Sequence, residues 1–572
     1  MVHTMSRPSE TEQDMKRAAE AGEVLDLSRR GNNVLRAQAI HDLLYAGDVG
    51  PVGLQVSGAR ITGQLALDFF QSSSPLLLDN CFFEEPLSLF HTDLPGLSLD
   101  DSTLPGINAE GLRTNYFGMR DARCTGVLDL DNARIDGPLL LTRSRLHGLD
   151  AGGMHVSRDV WMDDVFVTSE NIGCWFDSCD IGMDLMLNRA VVDAANDGIY
   201  LDGSRIGGMV RLHNAFVRSG GNGDAVTFTD ATARGLRLGG AVLRSDTGAA
   251  LRGNGAHIRS GITLDRGFNA LSNSAGPTVE LINARLGGDL WIGGFIRNRT
   301  GEAVTVHRAT IEGSLVVFRS RIEAKSFGAA LEISDTDVGG EITISPRKII
   351  NHGGGLAVDL FTTRAGRALL LDVAELTDAG GFTTSLNGLT YPEPPEDTGA
   401  WLTMLRDHTP EYEAQPYQQL AAVHRAAGHE HTARKVLIAQ QKDLRHRGDP
   451  GNKLWHWFLG VTLGYGYKPS RAVAGLLITF LLSLCLVWTA GENNGLTPAK
   501  DRPADSCSSV NRISLAADLA IPLVKLGGTP RCELANGPAG QWATGAGWVV
   551  QILGWSFATL SVAGFTGLVR KT

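Results

Sequence analysis

Cysteine, histidine and the acidic turns are the residues of this 572-residue chain best suited to chemistry. Of its seven cysteines, Cys81, Cys124, Cys174 and Cys179 lie in the long polar part, and Cys485, Cys507 and Cys532 lie near the end. Cys174 and Cys179 flank Trp175-Phe176 and could form a redox pair, but no C-x-x-C exists, and two buried or turn thiols are the expectation. His424, His429 and His431 invite a zinc reading. Only His424 and His431 approach a helical repeat and no cysteine is close, so a solvated polar face is expected instead. Asp121, Asn132, Asp230, Asn283 and Asp335 all stand five positions before a recurring glycine. A carboxylate row could hold a metal or a sugar. The row is broken by Arg143, Ser178, Gly203 and Arg308, and it is read as a turn ladder, because Asn and Asp tolerate the left-handed conformation and bond their own backbone. G-x-G-x-x-G after a strand, G-x-S-x-G, H-E-x-x-H and the P-loop pattern are all absent. Gly220-Gly221-Asn222-Gly223 and Gly353-Gly354-Gly355 read as turns. No catalytic residue is assigned, and neither a cofactor nor a metal is expected.

These residues are set in a repeat. A five-residue core of small, any, aliphatic, any, Gly recurs, as in Ala133-Arg134-Ile135-Asp136-Gly137, Ser204-Arg205-Ile206-Gly207-Gly208 and Ala309-Thr310-Ile311-Glu312-Gly313. Glycines at 208, 235, 261, 288, 313 and 340 are 27, 26, 27, 25 and 27 apart, while those at 126, 137 and 148 are 11 apart. The intervening runs alternate with period two and end at Gly, Asn or Asp, so they read as short strands. About 26 residues per turn without helical periodicity suits a parallel β-helix, a solenoid expected over 51–391. About a dozen coils at ~4.8 Å each would make a rod of roughly 60 Å. Ile206, Leu286, Ile311 and Val338 should line its interior. A solenoid needs covered ends. Residues 1–50 should form a helical cap, with a capping box at Ser9-Glu10-Thr11-Glu12 and an amphipathic run over 33–44. Residues 392–453 should form a helical linker, in which Leu420, Ala421, Gly428, Ala433 and Leu437 have tetratricopeptide-like spacing.

Residues 454–572 read as a membrane module. Spans are expected at 472–490 and 546–569, each uncharged and close to the ~20 residues a bilayer core requires. Residues 454–467, rich in Trp, Tyr and Phe, suit an interfacial helix, and 512–526 should lie on the outer surface in the same way. Basic residues flank both spans on their outer sides, at Arg445, Arg447, Lys453, Lys468 and Arg471 and at Arg570 and Lys571. This puts both termini in the cytoplasm of a two-pass plasma-membrane protein and the loop 491–545 outside. That loop's two cysteines, Cys507 and Cys532, are then a disulfide candidate in an oxidising compartment.

The repeated A-R-I-x-G units are followed by Asn387-Gly388-Leu389-Thr390-Tyr391, Ala400-Trp401-Leu402, Gln415-Pro416-Tyr417-Gln418-Gln419-Leu420 and Gly464-Tyr465-Gly466-Tyr467. On these motifs most of the chain resembles the bacterial, chiefly actinobacterial, membrane-attached repeat proteins often labelled "membrane-associated oxidoreductase". The resemblance implies a pentapeptide-like β-helix and membrane attachment, and it carries over no catalytic residue.

Composition narrows the choice of function. Glycine is about 12% of the chain, 69 of 572, against a usual ~7%. The net charge of −10 argues against a nucleic-acid partner. The fold class is therefore mainly β, with a helical cap, a helical linker and two transmembrane helices. The favoured reading is a membrane-anchored cytoplasmic scaffold that meets the lipid bilayer through its spans and a protein partner along the solenoid, with oligomerisation left open. An enzyme with a redox or sugar-directed site on the solenoid face is the first alternative, and a sensor reading the outer loop the second. Clustered Asp, Arg and aromatic residues on one face would favour the enzyme; a smooth ladder surface would favour the scaffold.

Overall fold

The computed structural model describes residues 8–265, 267–372, 383–447, 470–499, 507–521 and 532–565. The chain forms two compact units, Met1–Pro410 and Glu411–Thr572. The expected interfacial helix at 454–467 lies outside the described residues.

The first unit is a parallel β-solenoid of about 14 turns. Each turn visits four sheets in order. Sheet one has 15 strands, sheet two 14, sheet three 13 and sheet four 12, and every neighbouring pair is parallel. Along each strand the aliphatic residue points inward and its neighbour outward, so each rung adds one layer to a continuous core. Ile311 and Val338 are fully buried, and Ile206 and Leu286 nearly so. The repeat glycine sits where successive coils touch: a methyl on Gly313 would stand 2.7 Å from the carbonyl carbon of Gly288. The small residue that opens the repeat also faces inward. Where it is Ser or Thr, its hydroxyl donates to a carbonyl of an adjacent coil, as Ser102 Oγ does to Leu78 at 2.8 Å and Thr363 Oγ1 to Ile333 at 2.6 Å. Ser320, which opens the Ser320-Arg321-Ile322 unit, is the exception: its buried hydroxyl has no hydrogen-bond partner.

Coil length is not constant at 26. Leu87 pairs with Ile107, 20 residues on, and Ile107 with Leu128, 21 on. Farther along, Cys174 pairs with Ile199, 25 on, and Val304 with Leu331, 27 on. The short coils carry the repeat core twice, once on sheet two at Arg123–Cys124 and once on sheet four at Arg134–Ile135. This accounts for glycines 11 apart. The long coils keep it on sheet four, and their extra residues form longer strands and loops at the corner between sheets two and three. The first rungs also precede residue 51: Leu25–Asp26 pairs with Val56–Ser57, and Val34–Arg36 with Arg60–Thr62.

Helix α1 (Glu10–Ala21) opens on the expected capping box, with the Glu12 amide donating to Ser9 Oγ and the Ser9 amide to Glu12 Oε2. Helix α2 spans Ala37–Ala46, beginning later than the amphipathic run because Val34–Arg36 joins sheet two. At the other end α3 (Thr398–Asp407) buries Trp401, Met404 and Leu405, and the Trp401 ring meets Tyr391 at 5.7 Å. The backbone amide of Thr384 donates to the His408 carbonyl at 2.7 Å.

In the second unit α4 (Ala414–Ala426) and α5 (Glu430–Arg447) form a helical hairpin with Leu420, Ala421, Ala433 and Leu437 buried. Tyr417 Oη donates to Asp443 across it at 3.0 Å. Helices α6 (Ser470–Glu492) and α8 (Pro538–Phe565) are long and apolar enough to cross a membrane. The second begins eight residues earlier than the expected span at 546. Little of either is covered by protein: 28% and 22% of their most apolar windows are buried, unlike core helices of a soluble fold. Helix α7 (Ser509–Ala520) covers part of the segment expected on the outer surface, of which 522–526 lie outside the described residues, and it packs on α6 and α8. Its Ala516, Ala517 and Ala520 are buried, and Ala520 joins Leu486, Ala490, Ala543 and Val550 in one cluster. Small side chains let these backbones approach closely.

Candidate functional site

The five turn-ladder residues adopt one conformation on two different edges of the rod. Asp121 lies at the corner between sheets one and two. Asn132, Asp230, Asn283 and Asp335 lie at the corner between sheets three and four. Their φ values are 50° to 56°, the left-handed region. The residues that interrupt the sequence row do the same: Arg143, Ser178, Gly203 and Arg308 have φ between 52° and 67°. The corner geometry is thus set by the coil, and Asn or Asp is its least strained non-glycine occupant. Side chains reach along the edge as well. Arg143 and Arg189 donate to the carboxylates of Asp121 and Asp164 one coil below, and Arg143 holds the Asp121 carboxyl below its usual range.

All four solenoid cysteines are buried. Burial pushes the Cys81, Cys174 and Cys179 thiols up to about 12, so they hold no thiolate near neutral pH. Cys507 and Cys532 are joined in a disulfide, their Cα atoms 5.2 Å apart across a separation of 25 residues. His429 and His431 are exposed, but His424 is buried within the hairpin, contrary to a solvated face. Burial, then His429, lowers its pKa. No metal-binding group of three or more His, Cys, Asp or Glu occurs among the described residues.

The outward face of sheet three gathers what the sequence keeps apart. Register stacks Asn108, Asp129, Asp150, Trp175 and Tyr200 in one column, one residue per coil. Asp131 stands two residues beyond Asp129. Its carboxylate accepts from the Gly152 amide at 2.6 Å, and Asp129 accepts from the Asp131 amide at 3.0 Å. Burial first, then a hydrogen bond and repulsion from Asp131, then Asp129, raise the Asp150 carboxyl to about 7. The Asp150 carboxyl therefore keeps its proton to near neutrality. Directly above, the Trp175 and Tyr200 rings stack at 5.2 Å with 26° between planes. Asp202 accepts from Thr227 Oγ1 and the Thr229 amide, both at 2.7 Å, and burial raises its pKa. This surface can exchange a proton near pH 7 beside a flat aromatic platform.

None of these carboxylates or rings is evident as a site in the sequence. The available signal was the spacing: Asp129, Asp150, Trp175 and Tyr200 are 21, 25 and 25 residues apart, the coil lengths themselves. A separate polar cleft of about 460 Å³ opens where sheet four begins, lined by Ser72, Ser73, Asp93, Arg113, Arg134 and Asp136. Arg134 pairs with Asp136 at 3.1 Å, and the lining charges balance. No protein-family model, curated protein or solved structure matches the chain.

Proposed function

We propose that this protein is a membrane-anchored scaffold whose solenoid presents straight columns of side chains to a partner. The observation that supports it is the parallel register held over about 14 turns, which repeats outward side chains at strand spacing along each face. The exposed apolar helices α6 and α8 would supply the anchor, with two passes and both termini in the cytoplasm. The chain should sediment with membranes and resist salt and carbonate extraction, and truncation after residue 447 should release it. Retention of that truncated form would place the anchor elsewhere. Photo-crosslinkers at outward positions of each sheet, in intact membranes, should capture one partner on one face. Products absent from all four faces would refute the scaffold. Orientation needs an exposed reporter such as Thr232→Cys, because Cys124 is buried.

A second reading draws on sheet three alone. The Asp131–Asp150 pair beside stacked Trp175 and Tyr200 favours a sugar-directed site, since aromatic faces pack on apolar ring faces and carboxylates accept from hydroxyls. Oligosaccharide titration followed by Trp fluorescence tests it. A response surviving Trp175→Ala would exclude this site.

A further inference from the structure

We infer that the outward face of sheet two rests on an anionic lipid surface. This builds on the anchored reading above and adds which side of the rod meets the bilayer. Over the middle coils the outward column of sheet two reads Phe166, Val191, Phe216, Val242, Asn269 and Phe295. Five of these six are apolar and outward, on a sheet whose other side is already core. The neighbouring outward column reads Asp193, Arg218, Arg244, Leu271, Arg297 and Glu323. Arginine also follows the aromatic rings directly: Arg244 lies over Phe216 at 5.7 Å and Arg321 over Phe295 at 5.5 Å. Apolar rings flanked by guanidinium groups on long stems match the boundary between acyl chains and headgroups.

Part of the charge on this face is available. Arg123, Arg145, Arg244 and Lys348 make no ion pair among the described residues, while Arg218 pairs with Asp193 and Asp246, and Arg297 and Arg321 share Glu323. The chain as a whole carries −10, so a cationic face is a local feature with an anionic partner.

The other three faces differ in composition. The outward column of sheet one also holds large apolar residues and arginines, Trp161, Met186, Arg211, Arg237, Trp291 and Val316. There, however, Arg211 is paired with Asp184, and Asp159, Asp163 and Asp289 stand within two residues of the two tryptophans, a set of carboxylates that an anionic surface would repel. Sheet three is acidic. Sheet four carries Arg113, Arg205 and Arg285 on its outward column with no large apolar residue between them. An acidic protein or a nucleic acid would find the arginines of sheet four as readily as those of sheet two. The apolar ridge is what selects a lipid surface.

The test places reporters on opposite sides of one coil. Sheets two and four face away from each other, and Val242 and Thr232 are outward on them. The full chain is reconstituted in nanodiscs of phosphatidylcholine, with or without phosphatidylserine, carrying Val242→Cys or Thr232→Cys labelled with a fluorophore. Quenching is by nitroxide headgroups, with the unsubstituted chain as blank. Quenching is expected at Val242 and not at Thr232, is stronger with phosphatidylserine, and falls with added salt. Arg145→Glu with Arg244→Glu should abolish it, each cation lost weakening attachment roughly five-fold. Equal quenching at both positions, or none at Val242 in incorporated protein, overturns this inference and leaves the anchor intact. A chain that fails to incorporate overturns both.

Discussion

Replacing Asp150 by Asn should stabilise the protein in alkaline but not in acid solution. Asp150 stands outward on sheet three, stacked on Asp129 and hydrogen-bonded to Asp131, and its carboxyl is raised from a usual 3.8 to about 7. Between about pH 4 and 7 the folded chain holds a proton that the unfolded chain releases. Stability is therefore full below this window and is lost as pH rises through it. The whole displacement corresponds to a ceiling of roughly 4 kcal/mol. Asp150 is partly exposed, and solvent screening leaves about 1–2 kcal/mol of strain once it is ionised. Asn is nearly isosteric, carries no charge and can donate to Asp131, so it removes that cost. The assay is thermal unfolding by far-ultraviolet circular dichroism of the full chain in detergent, native against Asp150→Asn, from about pH 4 to about pH 8. The variant's midpoint should rise above the native one near pH 8, with the gap closing towards pH 4. A difference independent of pH, or a variant less stable at pH 8, would refute the raised Asp150 carboxyl.

Three further outcomes follow from the same geometry. Ile311→Asp should lower stability by several kcal/mol, since Ile311 is fully buried and an unpaired charge there has no partner; an unchanged melting midpoint would exclude the inward register. Arg308→Asn should raise stability by about 0.5–1 kcal/mol, because position 308 holds φ 52° between Asn283 and Asp335 on one edge and Asn tolerates that conformation better; a loss in the melting midpoint would mean that Arg308 is held by contacts along the edge. Cys507 should resist alkylation until reductant is added, and reduction should cost the α6–α8 module roughly 3 kcal/mol on the loop-entropy account; labelling without reduction would refute the bridge in the native protein.

The parts of this protein legible in its sequence are those decided within a few residues. The capping box at Ser9 and Glu12, the inward Ile311 and Val338, the left-handed turns and the apolar helices α6 and α8 all depend on local pattern: period two, short-range bonding or an uncharged run. Coil length was legible only as an average. The gain of a loop between sheets two and three changes the residues per turn without altering the five-residue core that marks the repeat. For the same reason Asp121 could not be told from Asn132 as belonging to another edge, since both precede the same motif.

The candidate site belongs entirely to the tertiary structure. Asp131 and Asp150, or Trp175 and Tyr200, become neighbours because parallel strands bring residues one coil apart to strand spacing. Register depends on the length of every turn between them, and a slip of one residue would send each side chain to the other face. The fate of His424 has the same origin: helix pairing, not its own neighbours in sequence, buries it. Sequence determined which residues face in and which face out. Only the winding of the chain decided which outward residues meet, because that depends on distances summed around the coil.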